Sequence, residues 1–120
     1  MRKVAVYGTL KRGRGNHGYL QNAKYLGQHV TEPRFTMRSN GGFPYVENKG
    51  TTPITVEVFE ILDETTSRNV NRLEGFNGIK GHPDNTFYDA IEIETPFGKA
   101  DMFIAGRDVS NLPLVASGCW

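Results

Sequence analysis

The sequence predicts an α+β fold: a small mixed β-sheet or β-barrel that carries one or two short helices. Most of the chain consists of short apolar or alternating segments separated by Gly, Pro, Asn or Asp, which is typical of strands. Only one segment has clear helix-capping residues, and strands do not alternate regularly with helices as in a repeating βαβ architecture. With 120 residues, of which 38% are hydrophobic, the chain is expected to form a single domain over residues 1–120.

The predicted strands follow from apolar runs and from alternation. Residues 4–7 form a continuous apolar run, which is expected of a central strand. Pro44 makes "NGGFPYVEN" a turn followed by a short extended segment, because the residue before a proline is biased away from helix. The other predicted strands are "KYLGQHV", "RFTMRS" and residues 54–61, 88–94 and 99–104.

One helix is predicted between Asp63 and Gly75. Asp is a favourable N-cap, Gly is the commonest residue just beyond a helix, and Val70 and Leu73 lie three apart on one face. A second, short helical piece is predicted at residues 17–23. Residues 76–87 contain three Gly or Pro residues in "GIKGHP" and are predicted to be a long loop.

Composition argues against several classes of partner. The formal net charge of +1 disfavours a nucleic-acid or membrane-surface protein, and no apolar run approaches the roughly 20 residues of a membrane helix. The start of the chain lacks the pattern of a secretory signal, and the lone Cys119 cannot form an internal disulfide, so a cytoplasmic location is expected. No pattern in the sequence specifies an oligomeric state.

The glycine-rich stretch "GTLKRGRGNHG" matches the spacing of two phosphate-binding motifs, but neither match has the residues or the surrounding elements that the motif requires. At P-loop spacing, Arg14 and Gly15 stand where Lys and Ser or Thr are needed. A G-x-G-x-x-G match begins at Gly13, too far beyond the strand and without later βαβ units. The basic residues here are interpreted as a solvated loop surface. The three histidines lack metal-site spacing, so no metal is expected.

Several motifs in the same order along the chain resemble one family. They are "VYGTL", Asn16, "GGFPYV", "ITVEVFEI", "VNRLEGF" and Tyr88. Together they resemble the γ-glutamylcyclotransferase-like superfamily, which includes γ-glutamylamine cyclotransferases and plant AIG2-like proteins. The departures are Val56 for a usual glycine, Asn71 for aspartate, Ala90 for a frequent arginine, and a longer gap before the tyrosine.

The resemblance implies an enzyme that releases an amine from a γ-glutamyl compound and forms 5-oxoproline. In that reaction the substrate's own α-amine attacks its γ-carbonyl, so no metal or cofactor is implied. Glu74 matches the family's general acid/base. From the residues alone, a carboxylate at a helix C-terminus next to Leu73 and Phe76 is expected to have a raised pKa, because it lies near the negative end of the helix dipole. The spacing alone favours an ordinary solvent-facing glutamate before a C-cap glycine, and the resemblance favours the catalytic role.

The segment "YGTL" is the predicted substrate anchor. Backbone N–H groups of Gly8, Thr9 and Leu10, following Tyr7, can converge on the α-carboxylate of a small-molecule γ-glutamyl substrate. Gly8 is expected to allow close approach and a turn with positive φ. Thr9 fits a hydrogen bond within its own loop equally well. Tyr88 is predicted to bind substrate, with a buried structural tyrosine as the alternative.

Three further expectations remain open. Glu57 is the second candidate for the catalytic carboxylate. Its side chain is either half-buried and paired with another group or solvent-exposed at a strand edge. The loop at residues 76–87 is predicted to border the site as a specificity lid. The alternative function is non-catalytic binding of a small anion, such as a nucleotide, in the same pocket. Nucleic-acid binding through the basic loop ranks last.

Overall fold

Seven strands, one α-helix and one 3-10 helix make up the computed structural model, which describes residues 2–120. The strands are β1 (Arg2–Val6), β2 (Lys24–Val30), β3 (Phe35–Ser39), β4 (Pro44–Thr52), β5 (Thr55–Ile61), β6 (Tyr88–Thr95) and β7 (Gly98–Ala105). The helix α1 spans Glu64–Glu74, and the 3-10 helix spans His17–Leu20. The predicted α+β class is confirmed. Within the described residues no helix has the length and apolar content to span a bilayer.

Five strands form the main sheet in the order β2-β5-β1-β7-β6. β1 runs antiparallel to β5 and parallel to β7, while the β2–β5 and β6–β7 pairs are antiparallel. β3 and β4 form a separate two-stranded sheet. The main sheet is therefore open at β2 and β6, which corresponds to the sheet form of the predicted sheet or barrel.

The central position of β1 follows from its apolar sequence. Its last three residues, Val4, Ala5 and Val6, are all buried, since the strand has a neighbour on each side and layers on both faces. Alternate residues along β1 and the following Tyr7 belong to two core clusters. Ala5 and Tyr7 pack with β3, β4 and Met102, whereas Val4 and Val6 pack with Phe59, Val70 and Phe103 beside α1.

Helix α1 begins and ends at the residues that the sequence predicts. The Asp63 side chain accepts a hydrogen bond from the Thr66 backbone N–H at 2.9 Å. Gly75 adopts φ 67°, and its N–H donates to the Arg72 carbonyl at 3.2 Å, which closes the helix. These two caps leave Glu74 as the last helical residue.

Two segments differ from the prediction. β4 has nine residues rather than a short extended segment: Pro44 to Glu47 pair with β3 in continuous register, the register then shifts, and Thr52 pairs with Phe35. Residues 48–51 between these pairs are exposed and lack an apolar pattern. The predicted helical piece at residues 17–23 is a single 3-10 turn that ends at Leu20.

Candidate active site

The segment "YGTL" leaves the centre of the sheet as a tight turn. Tyr7 is buried, and its hydroxyl donates to the Phe103 carbonyl of β7 at 2.8 Å, which fixes the end of β1. The Lys11 N–H donates to the Gly8 carbonyl at 3.1 Å. The Asn16 N–H donates to the Thr9 carbonyl at 2.9 Å, so the turn is held from both sides.

Gly8 is required by a close approach of two segments. A Cβ atom at this position would lie 2.9 Å from both Cδ and Cγ of Pro44, well inside van der Waals contact. The predicted positive φ is wrong, because Gly8 is not among the glycines with a left-handed backbone. The turn forms without that conformation, and space rather than backbone freedom selects glycine here.

The N–H groups of Gly8, Thr9 and Leu10 are available to a ligand. Their carbonyls accept hydrogen bonds from the surrounding loop, but within residues 2–120 none of the three N–H groups donates to a protein acceptor. All three residues line one cavity. The Thr9 hydroxyl accepts from Asn16 Nδ2 at 3.0 Å, so this side chain does hydrogen-bond within its own loop.

Glu74 lines the same cavity from the opposite element, the end of α1. Its side chain is half-buried, and burial raises the pKa of the carboxyl to about 7. In the described part of the chain, no cation or hydrogen-bond donor pairs with this carboxylate. The raised pKa that the sequence predicted is therefore present, and burial raises it.

The cavity has a volume of about 170 Å³ and a largely apolar wall. It brings together every residue that the sequence predicted for the site: Tyr7, Gly8, Thr9, Leu10, Glu74 and Tyr88. Asn16, Phe43, Pro44, Leu73 and Phe103 also line it. The "GGFPYV" motif contributed Phe43 and Pro44 to the family resemblance, but no sequence pattern indicated that these two residues lie beside "YGTL".

Tyr88 forms one side of the cavity and is held by two contacts. Its hydroxyl donates to the Pro44 carbonyl at 2.7 Å, and its ring stacks on Tyr45 at 5.0 Å between centroids. Burial raises the pKa of the Tyr88 phenol, so the group stays neutral and keeps its proton. In this arrangement the Tyr88 hydroxyl supports the cavity wall.

The predicted lid, residues 76–87, contributes no residue to the cavity wall. The loop is instead folded on itself: Asn85 Oδ1 accepts from the Asn77 N–H at 2.8 Å, and Asn85 Nδ2 donates to the Ile79 carbonyl at 2.9 Å. Lys80 also forms an ion pair with Asp101 at 2.9 Å. The wall that the lid was expected to supply comes from Phe43 and Pro44.

Glu57 and the basic loop are engaged with each other away from the cavity. Glu57 Oε1 accepts from the Arg12 N–H at 2.9 Å, and the Arg12 guanidinium lies 3.6 Å from the Tyr25 ring centroid. Glu57 is therefore the half-buried, partnered carboxylate of the two alternatives. Arg14 stacks over Trp120 with 5.0 Å to the ring centroid. None of these side chains lines the cavity.

Comparison with known proteins identifies the family. Residues 4–120 match the model of the family described as "Gamma-glutamyl cyclotransferase, AIG2-like". The chain belongs to this family. A Vibrio cholerae relative is 34% identical over 117 residues, which are 98% of this chain and 93% of that protein. An Escherichia coli K12 gamma-glutamylcyclotransferase family protein is 31% identical over 119 residues, 98% of this chain and 95% of its own.

The solved structures of this family share the architecture described above. The crystal structure of an uncharacterized Pyrococcus horikoshii protein has a TM-score of 0.80 at 32% identity, covering 99% of this chain and 89% of that one. A mouse AIG2-like protein has a TM-score of 0.74 over 100% of this chain and 88% of its own, at 21% identity, and this likeness shows the fold. The resemblance that the sequence motifs indicated is thus confirmed.

Proposed function

We propose that this protein is a γ-glutamyl cyclotransferase that releases an amine from a γ-glutamyl compound with formation of 5-oxoproline. The observation that carries the proposal is Glu74, an unpartnered carboxyl with its pKa raised to about 7 inside an apolar cavity. At neutral pH such a group populates both its base and its acid form. A proton shuttle that first accepts and then returns a proton needs both forms.

The three available amides define the other end of the substrate site. Backbone N–H groups of Gly8, Thr9 and Leu10 suit a carboxylate, because consecutive turn amides present concentrated positive potential to an anion. In the proposed complex they bind the α-carboxylate of the glutamyl group. This contact orients the glutamyl chain between the turn and the end of α1, where Glu74 meets the reacting nitrogen atoms.

The reaction needs no nucleophile from the protein. The Glu74 carboxylate accepts a proton from the substrate's α-ammonium, and the freed amine attacks the γ-carbonyl carbon. The new C–N bond closes the five-membered ring, the C–N bond to the leaving amine breaks, and Glu74 returns its proton to the leaving nitrogen. Overall the α-nitrogen loses two protons and the leaving nitrogen gains two, one of them through solvent.

Confinement supports the same chemistry. A flexible glutamyl chain must fold so that its two ends meet, and a pre-formed cavity of about 170 Å³ holds it in that shape. Fixing two reacting groups in a near-attack geometry contributes up to several kcal/mol in intramolecular reactions. The rigid wall around Tyr7, Pro44 and Tyr88, with its hydrogen bonds of 2.8 and 2.7 Å, suits this role.

The test is release of 5-oxoproline from a panel of γ-glutamyl amides, amino acids and peptides, followed by mass spectrometry. Glu74→Gln is expected to lower turnover at least about a hundredfold, since it removes the proton shuttle and keeps the shape. Glu57→Gln is the matched control, because that carboxylate is half-buried but lies outside the cavity, and it is expected to retain turnover. Undiminished turnover by Glu74→Gln would contradict the mechanism.

Non-catalytic binding of a small anion in the same cavity is the alternative, and it predicts ligand binding without 5-oxoproline. The basic residues of the loop that follows "YGTL" do not support it. Arg12 contacts Glu57 and Tyr25, and Arg14 contacts Trp120, so neither guanidinium points into the cavity. The same panel separates the two functions.

A further inference from the structure

Asn16 lines the same cavity as Glu74, and its side chain does not do what its position in the chain would suggest. It directly precedes the 3-10 helix, where an asparagine side chain commonly accepts a hydrogen bond from the first N–H groups of a helix. Among the described residues the Asn16 side chain makes no such bond. Its Nδ2 donates instead to the Thr9 hydroxyl at 3.0 Å, so the side chain is directed to the "YGTL" turn.

The backbone around this side chain is held on both sides. The Asn16 N–H donates to the Thr9 carbonyl at 2.9 Å, and the Asn16 carbonyl accepts from the Tyr19 N–H at 3.1 Å. Because Nδ2 faces the Thr9 hydroxyl, the orientation of the amide is fixed and Oδ1 is its free acceptor end. Within residues 2–120 no N–H or O–H group donates to Oδ1. Asn16 is half-buried and therefore brings one unused acceptor to the cavity.

A γ-glutamyl ligand needs an acceptor at this point. Its α-carboxylate and its α-ammonium are bonded to the same carbon atom, so a carboxylate held by the N–H groups of residues 8–10 leaves the ammonium close to the turn. An ammonium has three donors and is costly to bury without acceptors. Among the described residues that line the cavity, Glu74 is the one carboxylate and Asn16 the one side-chain amide. The hydroxyls of Tyr7 and Tyr88 already donate to main-chain carbonyls.

We propose that Asn16 Oδ1 accepts a hydrogen bond from the α-amino group of the substrate, and that Asn16 thereby selects ligands that carry this group. The inference rests on the proposed cyclotransferase function for the identity of the ligand, and it adds a residue to the substrate site. A neutral amide suits the reaction, because it holds the amine without a second negative charge that would favour the ammonium form. Glu74 thus stays the single group that takes the proton. Thr9 positions the Asn16 amide through its hydroxyl.

The test compares two ligands that differ only in the α-amino group. They are γ-glutamyl-methylamide and the mono-methylamide of glutaric acid, which has a hydrogen atom in its place. Dissociation constants are measured by NMR titration in the Glu74→Gln protein, in which turnover of the first compound is expected to be at least about a hundredfold slower. We define the amine preference as the ratio of the two constants. It is expected to favour the γ-glutamyl compound about tenfold or more, as for a hydrogen bond to a charged group.

Variants at position 16, made in the same Glu74→Gln protein, assign the amine preference to Asn16. Asn16→Ala is expected to reduce it to within about twofold, while the glutaric acid compound keeps its affinity within about threefold. Asn16→Asp is expected to increase it, because a carboxylate attracts the ammonium and repels a ligand that carries only a carboxylate. Asn69→Ala is the matched control: Asn69 is also a half-buried asparagine, but it lies on α1 and does not line the cavity. Its amine preference is expected to be unchanged.

Each contrary result has a separate meaning. Equal dissociation constants for the two ligands before any change at Asn16 overturn the inference, and the cyclotransferase proposal stands if the unmodified protein forms 5-oxoproline. An equal loss of affinity for both ligands in Asn16→Ala shows that Asn16 only holds the turn through Thr9, and this also overturns the inference. An intact amine preference without 5-oxoproline from any γ-glutamyl compound contradicts the cyclotransferase proposal and supports the inference. Failure of both ligands to bind contradicts the two together.

Discussion

Glu57 and Glu74 are both half-buried glutamates at the edge of an apolar cluster, yet their surroundings differ. Glu57 accepts a backbone hydrogen bond from Arg12 at 2.9 Å and lies 3.6 Å from its guanidinium. Glu74 has neither kind of partner in the part of the chain that the structure describes, and burial raises its pKa to about 7. A carboxylate with compensated charge stabilises a loop, whereas one without a partner is poised to exchange a proton. Both side chains are half-buried, but only Glu57 has a partner for its charge.

The largest expected effect is on the pH dependence of turnover. If the Glu74 carboxylate must accept a proton, kcat/KM falls about tenfold per unit below its pKa of about 7, so the value at pH 5 is roughly fiftyfold below that at pH 7. Tyr7 and Tyr88, the titratable groups beside Glu74, stay neutral over this range because burial raises the pKa of each. A pH series of initial rates measures the inflection.

Glu57→Gln sharpens this test, because it removes the partnered carboxylate and leaves the cavity intact. The acid limb is expected to keep its midpoint in this variant. A midpoint that moves with Glu57, or that lies near the ordinary glutamate value of 4.5, would show that Glu74 is not the titrating base.

The second effect is on stability and does not depend on any substrate. Because the pKa of Glu74 is higher in the folded than in the unfolded state, the folded state binds the proton more tightly, and stability falls as pH rises from about 4.5 to about 7. Glu74→Gln removes this loss. It is expected to stabilise the protein at pH 8 by up to about 3 kcal/mol relative to its effect at pH 4.5. Urea unfolding at both pH values measures the difference.

Glu57→Gln is expected to change stability with the opposite sign. It removes a hydrogen bond and an ion pair to a largely exposed arginine, so the loss is about 1 kcal/mol or less. Equal stability changes in the two variants at pH 8 would remove the distinction between the two carboxylates.

Local signals allowed much of the fold to be predicted. The bounds of β2 and α1 follow from neighbouring residues, such as the Asp63 cap and the left-handed Gly75, and the structure places them as predicted. The second half of β4 could not be predicted in the same way. Its residues 48–51 are exposed, lie where the register with β3 shifts, and leave no apolar period in the sequence.

The candidate site likewise combines features that local sequence predicts with features that depend on the tertiary structure. The motifs brought Tyr7, Glu74 and Tyr88 to attention. That Glu74 has no cation partner among residues 2–120 is a non-local property, which no spacing reveals. Close approach at Gly8 was expected, but the neighbour that requires it is Pro44 of β4, which no local pattern indicates, and the expected positive φ is absent.

Gly8 and Gly15 provide the third test, at two ends of the same loop. Gly8→Ala places a methyl group 2.9 Å from Pro44 and is expected to destabilise the protein by about 1–3 kcal/mol, as overpacking usually does, and to lower turnover by displacing the cavity wall. Gly15→Ala meets no atom within 4 Å and is expected to be close to neutral. Thermal unfolding of both variants measures the difference, and a neutral Gly8→Ala would show that the wall yields easily.

The smallest expected effect compares two tyrosine hydroxyls, one in each region. Tyr88→Phe leaves the Pro44 carbonyl without its 2.7 Å hydrogen bond in a part-buried position, which is expected to cost about 1 kcal/mol and roughly 4 °C in Tm. Tyr25→Phe removes a hydroxyl that accepts from the exposed Arg12 guanidinium, where water replaces the contact, so a few tenths of a kcal/mol are expected. Calorimetry of both variants makes the comparison. Equal shifts in Tm would mean that Tyr88 supports the cavity through its stacked ring on Tyr45 and not through its hydroxyl.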